Sequence, residues 1–190
     1  IDKAIDVAVS VLKNGGVVVL PTDTVYGLAA DARNKKAVQK VFAIKGRSSE
    51  KALPVFVSSF EMLAKITHIE DERVLNFLKR VWPGKITCIL PVYKDLEGYI
   101  CKSGEPVAVR IPNHDLVLKI IEKFGRFARR SLGEGGPIIG TSANIAGGKE
   151  HTKINKLIKE FEGLEVEPEL ILDAGDLPPS KPSTVLDCTI

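Results

Sequence analysis

The sequence predicts an α/β fold in which helices flank a twisted, mixed parallel and antiparallel sheet. Segments with helical apolar spacing alternate irregularly with short apolar runs typical of strands. The longest apolar runs, residues 17–20 and 86–90, are far shorter than the roughly 20 residues that cross a bilayer. The chain has 190 residues, of which 44% are hydrophobic, so it can bury one core. We therefore expect a single domain over residues 1–190.

The first half of the chain is expected to contain four helices and two strands. Helices are predicted where apolar residues recur every three or four positions, and strands where a short apolar run is bounded by Gly or Pro. Asn34 is the predicted N-cap and Gly46 the predicted end of the second helix. In order, the elements are helix 1–13, strand 17–20, helix 35–44, strand 53–57, and helices 60–66 and 72–81, the last ended by Trp82-Pro83-Gly84.

The second half is expected to be richer in strands. The predicted order is strands 86–90 and 107–111, helix 116–124, strand 137–140, helix 154–161, and strands 170–172 and 184–189. Two irregular stretches, residues 126–136 and 173–183, are rich in Gly, Pro and charge. They are candidates for mobile active-site loops.

Cysteine and histidine usage gives no sign of a metal site. Cys88, Cys101 and Cys188 are odd in number and lack Cys-x-x-Cys spacing, which predicts reduced thiols, with Cys88 and Cys188 in strands. The three histidines are scattered without ligand spacing. The N-terminus carries no basic-then-apolar signal segment. We expect a cytoplasmic protein with no metal bound by a side-chain cluster and no contact with membranes.

The net charge of +3 is too small to indicate nucleic-acid binding by itself. Its distribution is more informative, because the cations group into two clusters. A solvated helix face explains the first three lysines as well as a ligand does. The clusters are Lys35, Lys36, Lys40, Lys45, Arg47 and Lys51, and then Arg126, Arg129 and Arg130.

Residues 21–28, Pro-Thr-Asp-Thr-Val-Tyr-Gly-Leu, follow directly on an apolar strand. Polar groups clustered where a buried strand surfaces often line a site. The same run would equally suit a strand-exit turn in which Thr22, Asp23 and Thr24 bond their own backbone. Both interpretations stay open from this run alone.

Two further short patterns favour an anionic ligand. Lys45 and Arg47 can reach one ligand only if the helix ends at Gly46 and the chain becomes extended. Ser142 and Asn144 follow a predicted strand, where period-two alternation points both side chains the same way. Two cations with a hydroxyl and an amide suit a polyphosphate with its magnesium ion. The usual glycine-rich phosphate loops are missing from the sequence, so nucleotide binding would rest on side chains.

Six ordered segments covering nearly the whole chain resemble the YrdC/TsaC family. This resemblance implies a YrdC/RibB-like fold with a concave basic cavity. It also implies threonylcarbamoyl-adenylate synthase activity, which uses ATP, L-threonine and bicarbonate for tRNA modification. The segments are residues 21–28, Lys45-Gly46-Arg47, Trp82-Pro83-Gly84, residues 107–112, residues 141–144 with Gly147, and residues 182–185.

The resemblance assigns roles residue by residue. Lys45, Arg47, Ser142 and Asn144 match the family tetrad implicated in catalysis and in handling ATP with its Mg²⁺, and Lys51 matches a lysine that contacts phosphates. Four positions match the threonine pocket, namely Thr24, Arg110, Gly140 and Ser183. The arginine among them suits a carboxylate because its guanidinium is a planar fork.

The implied reaction requires no protein nucleophile. The amine of threonine forms a carbamate, whose oxygen attacks the α-phosphorus of ATP and expels pyrophosphate. Positioning and electrostatics should therefore dominate catalysis. The implied partners are ATP, L-threonine and bicarbonate, with tRNA or double-stranded RNA and a threonylcarbamoyl-transferase complex as further candidates.

Several positions depart from the family pattern. Ala52 replaces a frequent proline, Phe56 stands where some members have a threonine-contacting histidine, and Glu150-His151-Thr152 replaces a frequent Ser-Pro-Thr. The chain ends at Ile190, which suggests the single-domain form of the family. The alternatives are a double-stranded RNA or tRNA binding module, a carbamoyl-adenylate module like that of hydrogenase maturation proteins, and a divergent paralogue without synthase activity.

Overall fold

Six helices and two mixed sheets make up the part of the chain that the computed structural model describes, residues 1–47, 52–91, 100, 105–128 and 136–189. The helices are α1 (Asp2–Lys13), α2 (Lys35–Lys45), α3 (Phe60–Leu63), α4 (Glu72–Val81), α5 (Asp115–Ala128) and α6 (Ile154–Phe161). The strands are β1 (Val18–Leu20), β2 (Gly27–Ala29), β3 (Val55–Phe56), β4 (Ile86–Leu90), β5 (Val107–Arg110), β6 (Ile138–Ile139), β7 (Thr141–Ser142), β8 (Leu170–Ile171) and β9 (Thr184–Asp187).

The strands confirm the predicted fold class, because both sheets contain parallel and antiparallel pairs. One sheet has the order β7-β2-β1-β8 and the other the order β6-β3-β5-β4-β9. Parallel pairing joins β1 to β8, β3 to β5 and β4 to β9, and the other neighbours are antiparallel. The sequence indicated one sheet, whereas the strands divide between two.

Gly140 is the point where the chain passes from one sheet to the other. The strand predicted at 137–140 contains β6, which pairs with β3, and β7, which was not predicted, follows directly after Gly140 and pairs with β2. Between them the amide of Gly140 donates to the carbonyl of Pro54 at 2.9 Å. This segment therefore brings the edges of the two sheets together.

Local signals account for the helix boundaries. The side chain of Asn34 accepts hydrogen bonds from the amides of Lys36 and Ala37 at 3.0 and 3.2 Å, as expected of an N-cap. Gly46 ends α2 in the left-handed conformation, with φ of 56°. Both positions confirm the prediction from sequence.

The core lies on both faces of the four-stranded sheet. Val19 of β1 packs in one cluster of buried apolar residues, whereas Val18 and Leu20 pack in a second cluster with α1 and α5. Alternate residues of a strand face opposite sides, so a strand buried on both faces is apolar throughout. Within the described residues, none of the helices is both long enough and apolar enough to cross a bilayer.

Some sequence expectations differ from the structure or lie outside it. β9 ends at Asp187, so Cys188 follows the strand and is not part of it. β2 was not predicted, because its three residues, Gly27–Ala29, carry no alternation of their own. Lys51, Cys101, Arg129 and Arg130 lie outside the described residues, as do residues 129–135 of the expected loop 126–136.

Candidate functional site

An open cleft with a cavity volume of about 170 Å³ lies where the strand ends of the two sheets meet. All four residues predicted for a threonine pocket line it, namely Thr24, Arg110, Gly140 and Ser183. Ser142 of the predicted tetrad lines it as well. The structure thus brings together side chains that are far apart in sequence.

Sheet topology explains this convergence. Thr24 follows β1, Arg110 is the last residue of β5, and Gly140 lies between β6 and β7. Ser183 precedes β9, which pairs with β4, and the Ser183 and Thr87 hydroxyl oxygens are 2.7 Å apart. Thr87 lines the cleft too, and no pattern in the sequence indicated it.

Arg110 is held by three hydrogen bonds from its guanidinium group. Nε donates to the carbonyl of Gly84 at 2.7 Å, Nη1 to Oγ1 of Thr24 at 3.2 Å, and Nη2 to Oδ1 of Asp23 at 2.6 Å. The side chain is only 3% exposed. Burial lowers the pKa of Arg110 and the Asp23 carboxylate opposes this shift, so the group stays charged at neutral pH.

The arginine retains donors for a ligand. A guanidinium has five N–H groups, and the three bonds above occupy one on each nitrogen. One N–H on Nη1 and one on Nη2 therefore remain beyond these three bonds, and Arg110 lines the cleft. Two N–H donors on one planar guanidinium can bind the two oxygens of a carboxylate.

Thr22 and Thr24 take part in a local turn and also line the cleft, so both interpretations of residues 21–28 apply to them. Thr22 Oγ1 donates to the carbonyl of Val25 at 2.7 Å and accepts from the amide of Thr24 at 3.1 Å, which is a local turn. Because that hydroxyl proton is already used, the 3.0 Å contact between the two hydroxyls requires Thr24 to donate. Arg110, Thr24 and Thr22 therefore form a directed chain of hydrogen bonds that fixes the Thr24 hydroxyl at the cleft.

The Phe56 ring occupies the space that a side chain at position 140 would need. A Cβ atom placed on Gly140 would lie 2.3 Å from the Phe56 ring, so only glycine fits there. Phe56 also lines the cleft, with its ring centroid 5.8 Å from Cζ of Arg110. The sequence marked Phe56 only as a departure from the family pattern, and it forms an apolar wall of the cleft.

Lys45, Ser142 and Asn144 of the predicted tetrad form one hydrogen-bonded cluster. The ammonium of Lys45 donates to the carbonyls of Ser142 and Asn144 at 2.7 and 3.0 Å and to Oδ1 of Asn144 at 3.2 Å. Ser142 Oγ donates to the same Oδ1 at 2.7 Å. All three ammonium protons are thereby used, so Lys45 fixes the segment that follows β7.

The local environment of Lys45 is unusual for a lysine. Its side chain is buried, and burial together with the charge of Arg47 lowers the pKa from 10.5 to about 8. The carboxylates of Glu160 and Glu150 act in the opposite direction. At neutral pH the ammonium form still dominates, and its three protons match its three acceptors.

Arg47, the fourth tetrad residue, is not hydrogen-bonded to that cluster. Nη2 donates to the carbonyl of Ala52 at 3.3 Å, and Nε is buried with no hydrogen-bond partner among the described residues. A buried donor of this kind is available to an anion. Gly46 ends α2 as the sequence predicted, but the chain then turns and does not become extended, because the amide of Arg47 donates back to the carbonyl of Phe42 at 3.1 Å.

Two residues that sequence reasoning did not assign hold neighbouring segments in place. Glu160 of α6 accepts from the amide of Ile145 at 2.5 Å and contacts the ring of His151. The Tyr26 hydroxyl donates to the carbonyl of Gly175 at 2.6 Å and accepts from the amide of Ala174 at 3.1 Å. Both contacts join residues distant in sequence, so local patterns could not reveal them.

Across the described residues, no group of three or more His, Cys, Asp or Glu side chains could hold a metal ion.

The fold and the cleft define an α/β domain with an anchored arginine in an amino-acid-sized site. The chain belongs to the Sua5/YciO/YrdC family, whose model, described as telomere recombination, matches residues 10–190. The resemblance found in the sequence is therefore confirmed.

Its relatives include two proteins named threonylcarbamoyl-AMP synthase. The one from Pyrococcus abyssi is 35% identical over 185 residues, covering 97% of this chain and 51% of that protein. The one from Bacillus subtilis is 35% identical over 188 residues, covering 98% of this chain and 51% of that protein. The chain thus spans about half the length of the curated relatives it matches.

Solved structures agree with this assignment. Sua5 of P. abyssi complexed with L-threonine superimposes with a TM-score of 0.86 at 33% identity, covering 98% of this chain and 51% of that one. YciO of Escherichia coli gives a TM-score of 0.82 at 23% identity over 99% of this chain and 85% of that one, a likeness of fold alone.

Proposed function

We propose that this domain forms threonylcarbamoyl-AMP from L-threonine, bicarbonate and ATP, releasing pyrophosphate, and so acts as a nucleotidyltransferase in tRNA modification. The observation that carries this proposal is the position of Arg110, buried at the cleft with two N–H groups left for a carboxylate. Thr24, Gly140 and Ser183 surround the same space. The P. abyssi relative with a solved structure binds L-threonine.

The amino acid would bind with its carboxylate on Arg110 and its side chain near Phe56. A planar guanidinium held at three points presents its two remaining donors without further ordering, which lowers the entropic cost of binding. The apolar Phe56 ring would contact the methyl group that distinguishes threonine from serine. One methyl in an apolar pocket accounts for about 1 to 3 kcal/mol of discrimination, so serine should be a poor but detectable substrate.

ATP would bind on the side of the cleft bordered by Ser142. The buried Nε of Arg47 supplies a cationic donor for phosphate, and Lys51 is a second candidate in sequence. Lys45 would act through the Ser142–Asn144 segment, since its protons already bond that segment. These charges would bring two anions together and neutralise the leaving pyrophosphate.

Magnesium would enter with the nucleotide as part of the substrate. Asn144 Oδ1 already accepts from Lys45 and from Ser142, so the amide oxygen is a poor candidate for a direct ligand. The phosphate oxygens of ATP would hold the ion, which would neutralise their charge during transfer.

The reaction itself needs only positioning. The amine of threonine adds to the carbon of bicarbonate with loss of water, or to carbon dioxide with loss of a proton, giving a carbamate. A carbamate oxygen then bonds to the α-phosphorus as the bond to the β-phosphate oxygen breaks, and pyrophosphate leaves. A threonylcarbamoyl-transferase complex would consume the product. Direct binding of tRNA or double-stranded RNA by this domain remains a prediction.

The test is pyrophosphate release measured with MgATP, bicarbonate and each of the common amino acids in turn. We expect the fastest release with L-threonine and a dependence on bicarbonate. Equal release with and without threonine would refute the proposal. Salt-dependent tRNA binding without ATP turnover would favour the RNA-binding alternative.

A further inference from the structure

We infer that Asp23 is a positioning residue for the amino-acid site, holding Arg110 in the orientation in which it meets the substrate carboxylate. This inference rests on the proposed function for the identity of the ligand. The Asp23–Arg110 pair has an Oδ1–Nη2 distance of 2.6 Å, and its side chains are 9% and 3% exposed. Its partners are 87 residues apart in the chain.

Asp23 acts on the cleft only through Arg110. Its neighbours Thr22 and Thr24 line the cleft and so does Arg110, whereas Asp23 does not. Among the three groups that hold the guanidinium, the Asp23 carboxylate is the charged one, and the Gly84 carbonyl and Thr24 hydroxyl are neutral. The ionised guanidinium makes all three hydrogen bonds charge-assisted. The bond to Asp23 adds the attraction of opposite charges, which is stronger where both side chains are buried. Asp23 therefore contributes most to fixing the arginine.

Stability does not account for this pair. Replacing a buried ion pair by apolar residues of similar volume is often neutral or stabilising, because both charges lose their hydration. The second carboxylate oxygen, Oδ2, is buried and has no hydrogen-bond partner among the described residues, which adds to the cost. A costly charge beside a cleft is better explained by the geometry it imposes on Arg110.

The chain offers a matched control on its surface. Asp71 binds Arg73 through the same kinds of groups, with an Oδ2–Nη2 distance of 2.7 Å, but the arginine side chain is 91% exposed. Asp71→Asn keeps an N-cap residue for α4 and removes the same charge away from the cleft. It should leave all constants of the reaction unchanged.

The experiment compares Asp23→Asn, Asp23→Glu and Asp71→Asn with the wild type by the pyrophosphate assay. We expect both Asp23 variants to raise KM for L-threonine by about tenfold or more while KM for ATP stays within about twofold, as for a lost preorganised contact. Asp23→Glu keeps the charge but moves it by one methylene, so it carries the test if Asp23→Asn does not fold. Unchanged or lowered threonine KM in a folded variant, or an equal rise of both constants, would overturn the inference.

A second measurement does not depend on activity. In a nitrogen-15 spectrum, the Nε–H resonance of Arg110 is identified as the signal that Arg110→Lys removes. Its rate of exchange with water reports how firmly the guanidinium is held. We expect slow exchange with water in the wild type and faster exchange in the Asp23 variants. If the wild type released no pyrophosphate, the proposed function would fall. Unchanged Nε–H exchange in the Asp23 variants would overturn the role of Asp23 independently.

Discussion

Oδ1 of Asn144 accepts a hydrogen bond from the buried ammonium of Lys45 at 3.2 Å, although 99 residues separate the two in the chain. The same amide group donates from Nδ2 to the carbonyls of Ile145 and Gly148 at 3.1 and 2.9 Å. Asn144 therefore joins the end of α2 to the turn that follows β7. A tetrad residue expected to contact the nucleotide thus also has a structural role.

Asn144→Ala should destabilise the fold more than Ser142→Ala. The first change leaves the buried ammonium short of one acceptor, at about 1 to 3 kcal/mol, and removes two bonds to the carbonyls of Ile145 and Gly148, at about 0.5 to 1.5 kcal/mol each. The second removes one side-chain bond to Oδ1, at about 0.5 to 1.5 kcal/mol. Denaturant unfolding of both variants measures the difference. An Asn144→Ala variant as stable as the wild type would contradict this structural role.

The depressed pKa of Lys45 predicts a pH dependence of stability. Burial lowers that pKa from 10.5 to about 8, so between these values the unfolded chain binds more protons than the folded one. The contribution of Lys45 to the free energy of unfolding therefore rises with pH across this window, and it is least favourable below about 8. We expect the stability of the wild type relative to Lys45→Met to increase from pH 8 towards 10.5. A relative stability that stays constant or falls would contradict the depressed pKa.

Gly140→Ala should destabilise the fold through Phe56. The new methyl would lie 2.3 Å from the ring, and such overpacking costs about 1 to 3 kcal/mol. Phe56→Leu in the same chain should recover part of the loss, because the smaller side chain leaves room. Unfolding free energies of both single variants and the double variant give the coupling. Additive effects would show that Phe56 does not limit this position.

Tyr26→Phe should loosen the segment that leads to Ser183. The phenol bonds the backbone of Ala174 and Gly175, and its loss leaves the carbonyl of Gly175 and the amide of Ala174 without that partner. We expect faster hydrogen exchange at the amide of Ala174, because its hydrogen bond to the phenol is lost. We also expect a raised KM for threonine, because Pro182 and Ser183 line the cleft. Unchanged exchange at Ala174 would argue against this link.

Local features were predictable from the sequence, and long-range pairings were not. The bounds Glu72–Val81 and Ile154–Phe161 follow from apolar spacing, and the ends of α2 follow from Asn34 and Gly46. The passage of the chain from one sheet to the other at Gly140 depends on the partners of β6 and β7, which no local pattern encodes.

The same contrast holds for the site. Motif resemblance found Thr24, Arg110, Gly140 and Ser183, and the structure brings all four to one cleft. The contact of Asp23 with Arg110 was not predicted, since it requires β1 and β5 from different sheets to be close. The three backbone and side-chain acceptors of Lys45 were not predicted either, because they lie 97 to 99 residues away from it in the chain.

The central claim is that Arg110 binds the carboxylate of the amino-acid substrate, and Arg110→Lys tests it most directly. Lysine keeps the charge but cannot reproduce a planar two-donor contact, and Arg73→Lys on the exposed surface is the control. Initial rates of pyrophosphate release, with threonine and ATP varied in turn, give both KM values. We predict that Arg110→Lys raises KM for threonine by about tenfold or more and leaves KM for ATP within about twofold. A raised KM for ATP with unchanged KM for threonine would contradict the claim.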